Sequence, residues 1–316
     1  MRIGVDVGGT KIEAIALDKN GEVLAKKRVL SPKENYSATI ETICKLIIEI
    51  EEKAEKIQNQ NNTATVGIGI PGSISTTTGL VKNANSTWLI GQQLEDDLIK
   101  VLKRPIKLEN DANCFVLSET IDGAARGYST VFGVILGTGV GGSFSINSKI
   151  WTGINKIAGE WGHNPLPWPS NADDGSENPG NSCYCGQFGC IETFLSGKGL
   201  SRSHGILSSK AVNEALDPLS IIQLSGSGEK HAIRALELYA VRLAKSLATV
   251  INLLDPEVIV LGGGLSKMEF LYQKIPELWS KWIFSDQIQT LLVKNQHGDS
   301  SGVRGAAQLW TSENIG

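Results

Sequence analysis

Cys183, Cys185 and Cys190 fall within eight positions, in the run Cys183-Tyr184-Cys185-Gly186-Gln187-Phe188-Gly189-Cys190. Two glycines let such a turn close, and three thiolates supply three ligands of a tetrahedral Zn²⁺. His163 is the nearest upstream histidine and the candidate fourth ligand, returned to the cysteines by the 19 residues between it and Cys183. A Cys₃His set leaves no open coordination position, so the expected metal is structural rather than hydrolytic. Cys44 and Cys114 stand alone in apolar, helix-like stretches, a usage that suits a reducing compartment better than paired disulfides. His204, His231 and His297 are isolated and read as surface or core histidines.

Glycine-rich turns offer a second chemistry. A polyphosphate needs several backbone N–H groups at close range, which glycine permits. Asp6-Val7-Gly8-Gly9-Thr10-Lys11 and Gly137-Thr138-Gly139-Val140-Gly141-Gly142 are candidates, and Gly262-Gly263-Gly264 is a third cluster after an apolar strand. Strands rather than helices follow the first two, which excludes a Walker loop and a dinucleotide fingerprint. Each alone also fits a tight hairpin turn. Asp6 is placed either to hold Mg²⁺ through water or to cap its own turn.

The elements that must position these residues follow from hydrophobic period. Ile3, Val5 and Val7 alternate with smaller or polar residues, and strands at 12–17 and 23–29 make the opening an antiparallel meander. Ile40, Ile43, Ile47, Ile50, Ala54 and Ile57 give an amphipathic helix over 39–57. Strands follow at 66–70, stopping at Pro71-Gly72, and at 106–108, ending at Glu109-Asn110-Asp111. Residues 131–146 repeat the opening device of strand, glycine turn and strand, and a helix over 232–254 leads into a strand at 258–261. Two similar α/β lobes facing a cleft are expected, in keeping with roughly two domains for 316 residues. Asn164 to Ser182 is a long irregular loop, a kind that is usually functional or mobile.

Composition narrows the classes. Thirty basic against 33 acidic residues, without a basic block, leave no nucleic-acid footprint. No apolar run approaches the roughly 20 residues of a membrane span, and MRIGVDVGGT lacks a signal-peptide pattern, so a cytoplasmic protein without membrane or nucleic-acid partners is expected. The 35 glycines exceed the roughly 22 that average usage gives, a surplus of roughly 13 that needs a reason.

The motifs together resemble the ROK family of sugar kinases, within the actin and hexokinase superfamily. Asp6 to Lys11 is similar to its first phosphate motif, Glu109-Asn110-Asp111-Ala112-Asn113 to its catalytic stretch, and Leu136 to Gly142 to its second phosphate motif. Gly159-Glu160-Trp161-Gly162-His163 and Cys183 to Glu192 match its ExGH and CxCGxxGCxE signatures. The matches run in order from residue 5 to about residue 265. The stretch from Gly159 to Trp168 is most similar to the bacterial fructokinase and mannokinase branch. The gap between His163 and Cys183 is longer than in much of the family, which bears on sugar preference because that loop would rim the pocket.

The resemblance implies a two-lobed, ribonuclease H-like α/β fold with a central nucleotide and sugar cleft. The expected lobes are 1–116, completed by a C-terminal helix 303–316, and 117–302, which carries the zinc loop. The implied reaction is ATP-dependent phosphorylation of a free hexose at the 6-hydroxyl, with fructose first and glucose, mannose or N-acetylmannosamine as alternatives. Asp111 would be the general base. Asn110, Gly72, Asn85, Glu160, His163 and Glu192 would bind the sugar, His163 using one ring nitrogen for zinc and offering the other to the sugar. Asp6, Gly8, Gly9, Thr10, Lys11, Gly137, Thr138, Gly139 and Gly262 to Gly264 would hold ATP and Mg²⁺. Trp88, Trp161 and Trp168 either stack on sugar or pack. A homodimer is implied as well. The family's repressors carry a helix-turn-helix ahead of the first phosphate motif, and Asp6 stands too near the start for one. A non-catalytic relative would be expected to lack Asp111.

Overall fold

The structure is a computed structural model that describes residues 1–58, 63–84, 86–170, 174–209 and 216–310. The chain forms two compact units, Met1–Gly127 with Ser148–Ile157 and Gln296–Gly316, and Tyr128–Asn147 with Ala158–Asn295.

In the first unit β1 (Arg2–Val7), β2 (Lys11–Leu17) and β3 (Val23–Leu30) form the antiparallel meander. There follow α1 (Tyr36–Gln58), β4 (Thr65–Ile70), a small hairpin of β5 (Ser73–Ile74) and β6 (Val81–Lys82), α2 (Leu94–Leu102), β7 (Ile106–Asn110) and α3 (Asp111–Ile121). The short β10 (Lys149–Ile150) and α9 (Ser301–Ala307) complete the unit. Strand order is β3-β2-β1-β4-β7, and β1, β4 and β7 are parallel.

Alternation splits β1 between two layers. Ile3, Val5 and Val7 enter one core with Ile43, Ile47 and Ile50 of α1. Gly4 faces the other way, where a Cβ would overlap the backbone of Val303 and Ala307, and a Cβ at Gly67 would overlap the Ala306 carbonyl. Bare backbone at these two positions lets α9 lie directly on β1 and β4. Buried Glu119 of α3 accepts hydrogen bonds from the Gln296 N–H at 2.9 Å and the Ser301 hydroxyl at 2.7 Å, fixing α3 to the segment that carries α9. The expected boundary at 116 lies inside α3, which runs unbroken, and contacts group 117–127, 148–157 and 296–302 with the first unit. Of the expected helix 303–316, α9 ends at Ala307, and 311–316 lie outside the described residues.

The second unit contains β8 (Thr130–Leu136), β9 (Val140–Ile146), α4 (Glu192–Leu195), α5 (Gly197–Leu207), α6 (Pro218–Gly226), α7 (Lys230–Leu254), β11 (Val258–Gly262), α8 (Leu271–Trp279) and β12 (Leu291–Lys294). Its strands run β9-β8-β11-β12, with β8 and β9 antiparallel and β8, β11 and β12 parallel. Phe132, Val134, Ile259 and Leu261 pack with Leu243, Leu247 and Ile251 of α7. No helix among the described residues is long and apolar enough to cross a membrane.

The long loop after His163 is anchored by buried charge. Arg242 on α7 pairs with Asp174 at 2.7 Å and Glu177 at 2.8 Å, and donates to the Ser203 hydroxyl at 2.7 Å. Lys245, one turn on, pairs with Glu177 at 2.6 Å. Burial would raise both carboxyls, but the hydrogen bonds and charges of Arg242 and Lys245 hold them below their ordinary range. Removing one partner of such a set strands a buried charge. Arg242→Met is therefore expected to cost about 3–5 kcal/mol in a denaturant titration; a loss below about 0.5 kcal/mol, the size of an ordinary surface change, would contradict the anchor.

Candidate active site

Parallel strands gather their carboxyl ends on one edge of a sheet, and ligand sites in α/β sheets lie there. In the first unit β1, β4 and β7 bring Asp6, Gly72, Asn110 and Asp111 to that edge. The turn after β1 closes with the Gly8 N–H donating to the Lys11 carbonyl at 2.9 Å, leaving Thr10 and Lys11 exposed, and a Cβ at Gly9 would touch the Ser86 hydroxyl at 3.4 Å. Gly72 has φ +79° and sits against the backbone of Lys82 to Ala84, so a side chain there is excluded.

Asn110 caps α3, its Oδ1 accepting from the Ala112 and Asn113 N–H groups, while its Nδ2 donates to the Gly72 carbonyl at 2.9 Å. One N–H of that amide is left for a ligand. The cap places Asp111 in the first turn of α3, where the helix N-terminus favours a carboxylate. Asp6 lies opposite Glu13 in the β1–β2 register. Its carboxyl is pushed up to about 7, by burial first and then by the charges of Asp111 and Glu13, with Arg28 opposing. Crowded carboxylates of this kind are what a cation relieves. Asn85 lies outside the described residues.

In the second unit the carboxyl ends of β8 and β11 bring two of the glycine clusters together. Gly137, Thr138 and Gly264 line one cavity of about 910 Å³. Gly262 ends β11, and Gly263, at φ +83°, packs on the Leu136 backbone. The Gly197 N–H donates to the Gly137 carbonyl at 2.8 Å, which brings the start of α5 to the turn, capped by the Ser196 hydroxyl. Lys198 and Arg202, one helical turn apart on α5, and Lys267 also line the cavity, with Leu216 and Leu219 as apolar wall. None of these five was among the sequence candidates; the Ser196 cap followed by Lys198 and Arg202 was the available signal.

Gly139 completes the turn and touches the next site. A Cβ there would come 2.5 Å from Glu192 Oε2, and the Val140 N–H donates to that same oxygen at 2.9 Å. One carboxylate oxygen of Glu192 is thereby committed to the turn. Glu160 and His163 occupy a short 3₁₀ turn, Glu160–His163, whose Trp161 is buried edge-on against Phe132. Trp88 donates to the Thr39 hydroxyl and Trp168 stacks near Trp282, so each tryptophan has a packing partner.

The four metal candidates converge. The Ile191 N–H bonds the Asn164 carbonyl at 2.9 Å and Pro165 bridges Cys190, which lays His163 beside the cysteine turn. One ligand atom from each of His163, Cys183, Cys185 and Cys190 lies within 4.8 Å of the others. His163 Nδ1 is 3.6 Å from Cys183 Sγ, and the sulfurs of Cys185 and Cys190 are 3.6 Å apart. Sulfurs about 2.3 Å from a tetrahedral zinc would be spaced about 3.8 Å, so donor set and spacing both fit a structural zinc. The Gln187 backbone N–H lowers the Cys185 thiol to about 7, toward the thiolate a metal takes. His163 Nε2, expected to face sugar, lies 3.0 Å from the Tyr184 hydroxyl.

The sequence profile of the ROK family matches residues 2–313. An N-acetyl-D-glucosamine kinase of Yersinia enterocolitica is 38% identical over 99% of this chain and 100% of its own length. The crystal structure of a ROK hexokinase from Thermus thermophilus superposes with a TM-score of 0.82 at 27% identity, over 97% of this chain and 96% of that one. That of a ROK glucokinase from Streptomyces griseus, in complex with glucose and AMPPNP, gives 0.76 at 26%, over 98% of each. The curated relative bears the name of an N-acetyl-D-glucosamine kinase, where the Gly159–Trp168 stretch had pointed to fructokinases and mannokinases. The chain belongs to the ROK family and has its actin- and hexokinase-like α/β fold.

Proposed function

We propose that this ROK-family chain transfers the γ-phosphoryl group of ATP to the 6-hydroxyl of a free hexose, with N-acetyl-D-glucosamine as its preferred sugar. The observation that carries the sugar is the 38% identity, over essentially the whole of both chains, to a kinase named for it. Fructose gives way to it; glucose is the second reading, favoured by the glucose complex of the similar glucokinase. A cytoplasmic homodimer is proposed on the family resemblance.

In this reading ATP occupies the cavity at Gly137, Thr138 and Gly264, with Lys198, Arg202 and Lys267 countering phosphate charge. Gly8, Gly9, Thr10 and Lys11 offer backbone and side-chain donors to the phosphates, and Asp6 takes Mg²⁺ through water. Asp111 accepts the proton of the attacking hydroxyl as its oxygen bonds to the γ-phosphorus and the bond to the β-phosphate oxygen breaks, releasing ADP. Asn110 gives its remaining N–H to a neighbouring hydroxyl. The free oxygen of Glu192, together with Glu160, accepts sugar hydroxyls. Zinc, when bound, fixes the turn carrying these groups and takes no part in transfer.

An ADP-release assay across N-acetyl-D-glucosamine, glucose, mannose, fructose and N-acetylmannosamine is expected to give the highest kcat/KM for the first; a fructose preference would overturn the sugar assignment. Asp111→Asn should lose about 10²–10⁴ in kcat while calorimetric sugar affinity persists, and near-normal turnover would remove Asp111 from the base role. Metal analysis should find about one zinc per chain, and Cys190→Ser should lower the melting temperature by more than about 5 °C. Metal-free protein of unchanged stability would dismiss the zinc.

A further inference from the structure

We propose that Tyr184 is a specificity-determining residue whose hydroxyl donates a hydrogen bond to the acetamido carbonyl oxygen of an N-acetylated hexosamine, an inference that rests on the sugar reading above. The chemistry starts at His163, whose Nδ1 faces the Cys183 sulfur at 3.6 Å and whose Nε2 faces the Tyr184 hydroxyl at 3.0 Å. A metal on Nδ1 uses that nitrogen's lone pair, so the neutral ring carries its proton on Nε2. Nε2–H is then the donor and the Tyr184 oxygen the acceptor, which leaves the phenolic O–H to donate outward. Tyr184 makes no other hydrogen bond among the described residues.

The ring is positioned rather than loose. It stands edge-on to the imidazole, with centroids 5.2 Å apart and planes at 87°, while 76% of the residue remains exposed. Glu160 shares the short 3₁₀ turn of His163, and Glu192 follows Cys190 by two residues; both are carboxylates, groups that accept from sugar hydroxyls and have nothing to offer a carbonyl oxygen. Tyr184 supplies the complementary donor. A plain hexose carries a hydroxyl where the hexosamine carries the acetamido group, and that hydroxyl can satisfy the carboxylates by donating. An amide carbonyl only accepts, so its recognition depends on the tyrosine donor.

Tyr184→Phe keeps the ring and removes the donor. Calorimetric Kd without nucleotide, and KM in turnover, are each expected to rise about 3- to 10-fold for N-acetyl-D-glucosamine and to stay within about twofold for glucose, with zinc content and melting temperature unchanged. Equal changes for both sugars, or an unaltered N-acetyl-D-glucosamine affinity, would overturn the assignment. Loss of zinc would overturn it too, by making Tyr184 a support of the metal turn. Wild-type protein that binds glucose but not N-acetyl-D-glucosamine would instead overturn the sugar reading on which the inference rests.

Discussion

The hydrogen bond from the Val140 N–H to Glu192 Oε2 joins the parts of the second unit for which a role in binding is proposed. On one side it holds the Gly137–Gly139 turn, and Gly139 can sit there only because it has no Cβ to strike the carboxylate. On the other it fixes the start of α4, two residues after Cys190 and hence at the exit of the metal turn. The cavity proposed for nucleotide, the carboxylate proposed for sugar and the candidate zinc turn thus share one support. A charge-assisted hydrogen bond of this kind is stronger than a neutral one, and its loss leaves a partly buried carboxylate with one acceptor unused.

Glycine is the currency of close approach here, and its uses extend beyond ligand turns. Gly4 and Gly67 serve the seating of α9 on β1 and β4, where no phosphate, sugar or metal is proposed. The glycine surplus therefore divides between the turns proposed for ligands and helix-on-sheet packing. The two uses are connected, because α9 lies on the same strands whose carboxyl ends present Asp6 and Gly72.

Much of this was legible in the residues. The meander, α1 and the strand, glycine turn and strand at β8–β9 follow from local period, which tertiary context did not override. The Cys₃His set was legible because four soft or borderline donors with that spacing have few other uses. The cation-lined cavity was not legible, since Lys198, Arg202 and Lys267 come together only because the start of α5 is held at the Gly137 turn and the segment after β11 lines the same cavity. Arg242 and Lys245 carry no local mark of burial, and nothing local shows that the loop carrying Asp174 and Glu177 folds over them. The proposed sugar has no local signature for a different reason: epimers and acetamido sugars are told apart by where donors and acceptors sit, and Tyr184 becomes a candidate only once His163 is seen to point at it.

The shared support is tested most directly by the affinity of Glu192→Ala for a non-hydrolysable ATP analogue, measured calorimetrically without sugar. Glu192 does not line the cavity, so a purely sugar-binding role predicts unchanged nucleotide affinity. The shared support predicts about tenfold weaker binding, the size of one charge-assisted hydrogen bond. An affinity within about twofold of wild type, against that tenfold, would contradict it.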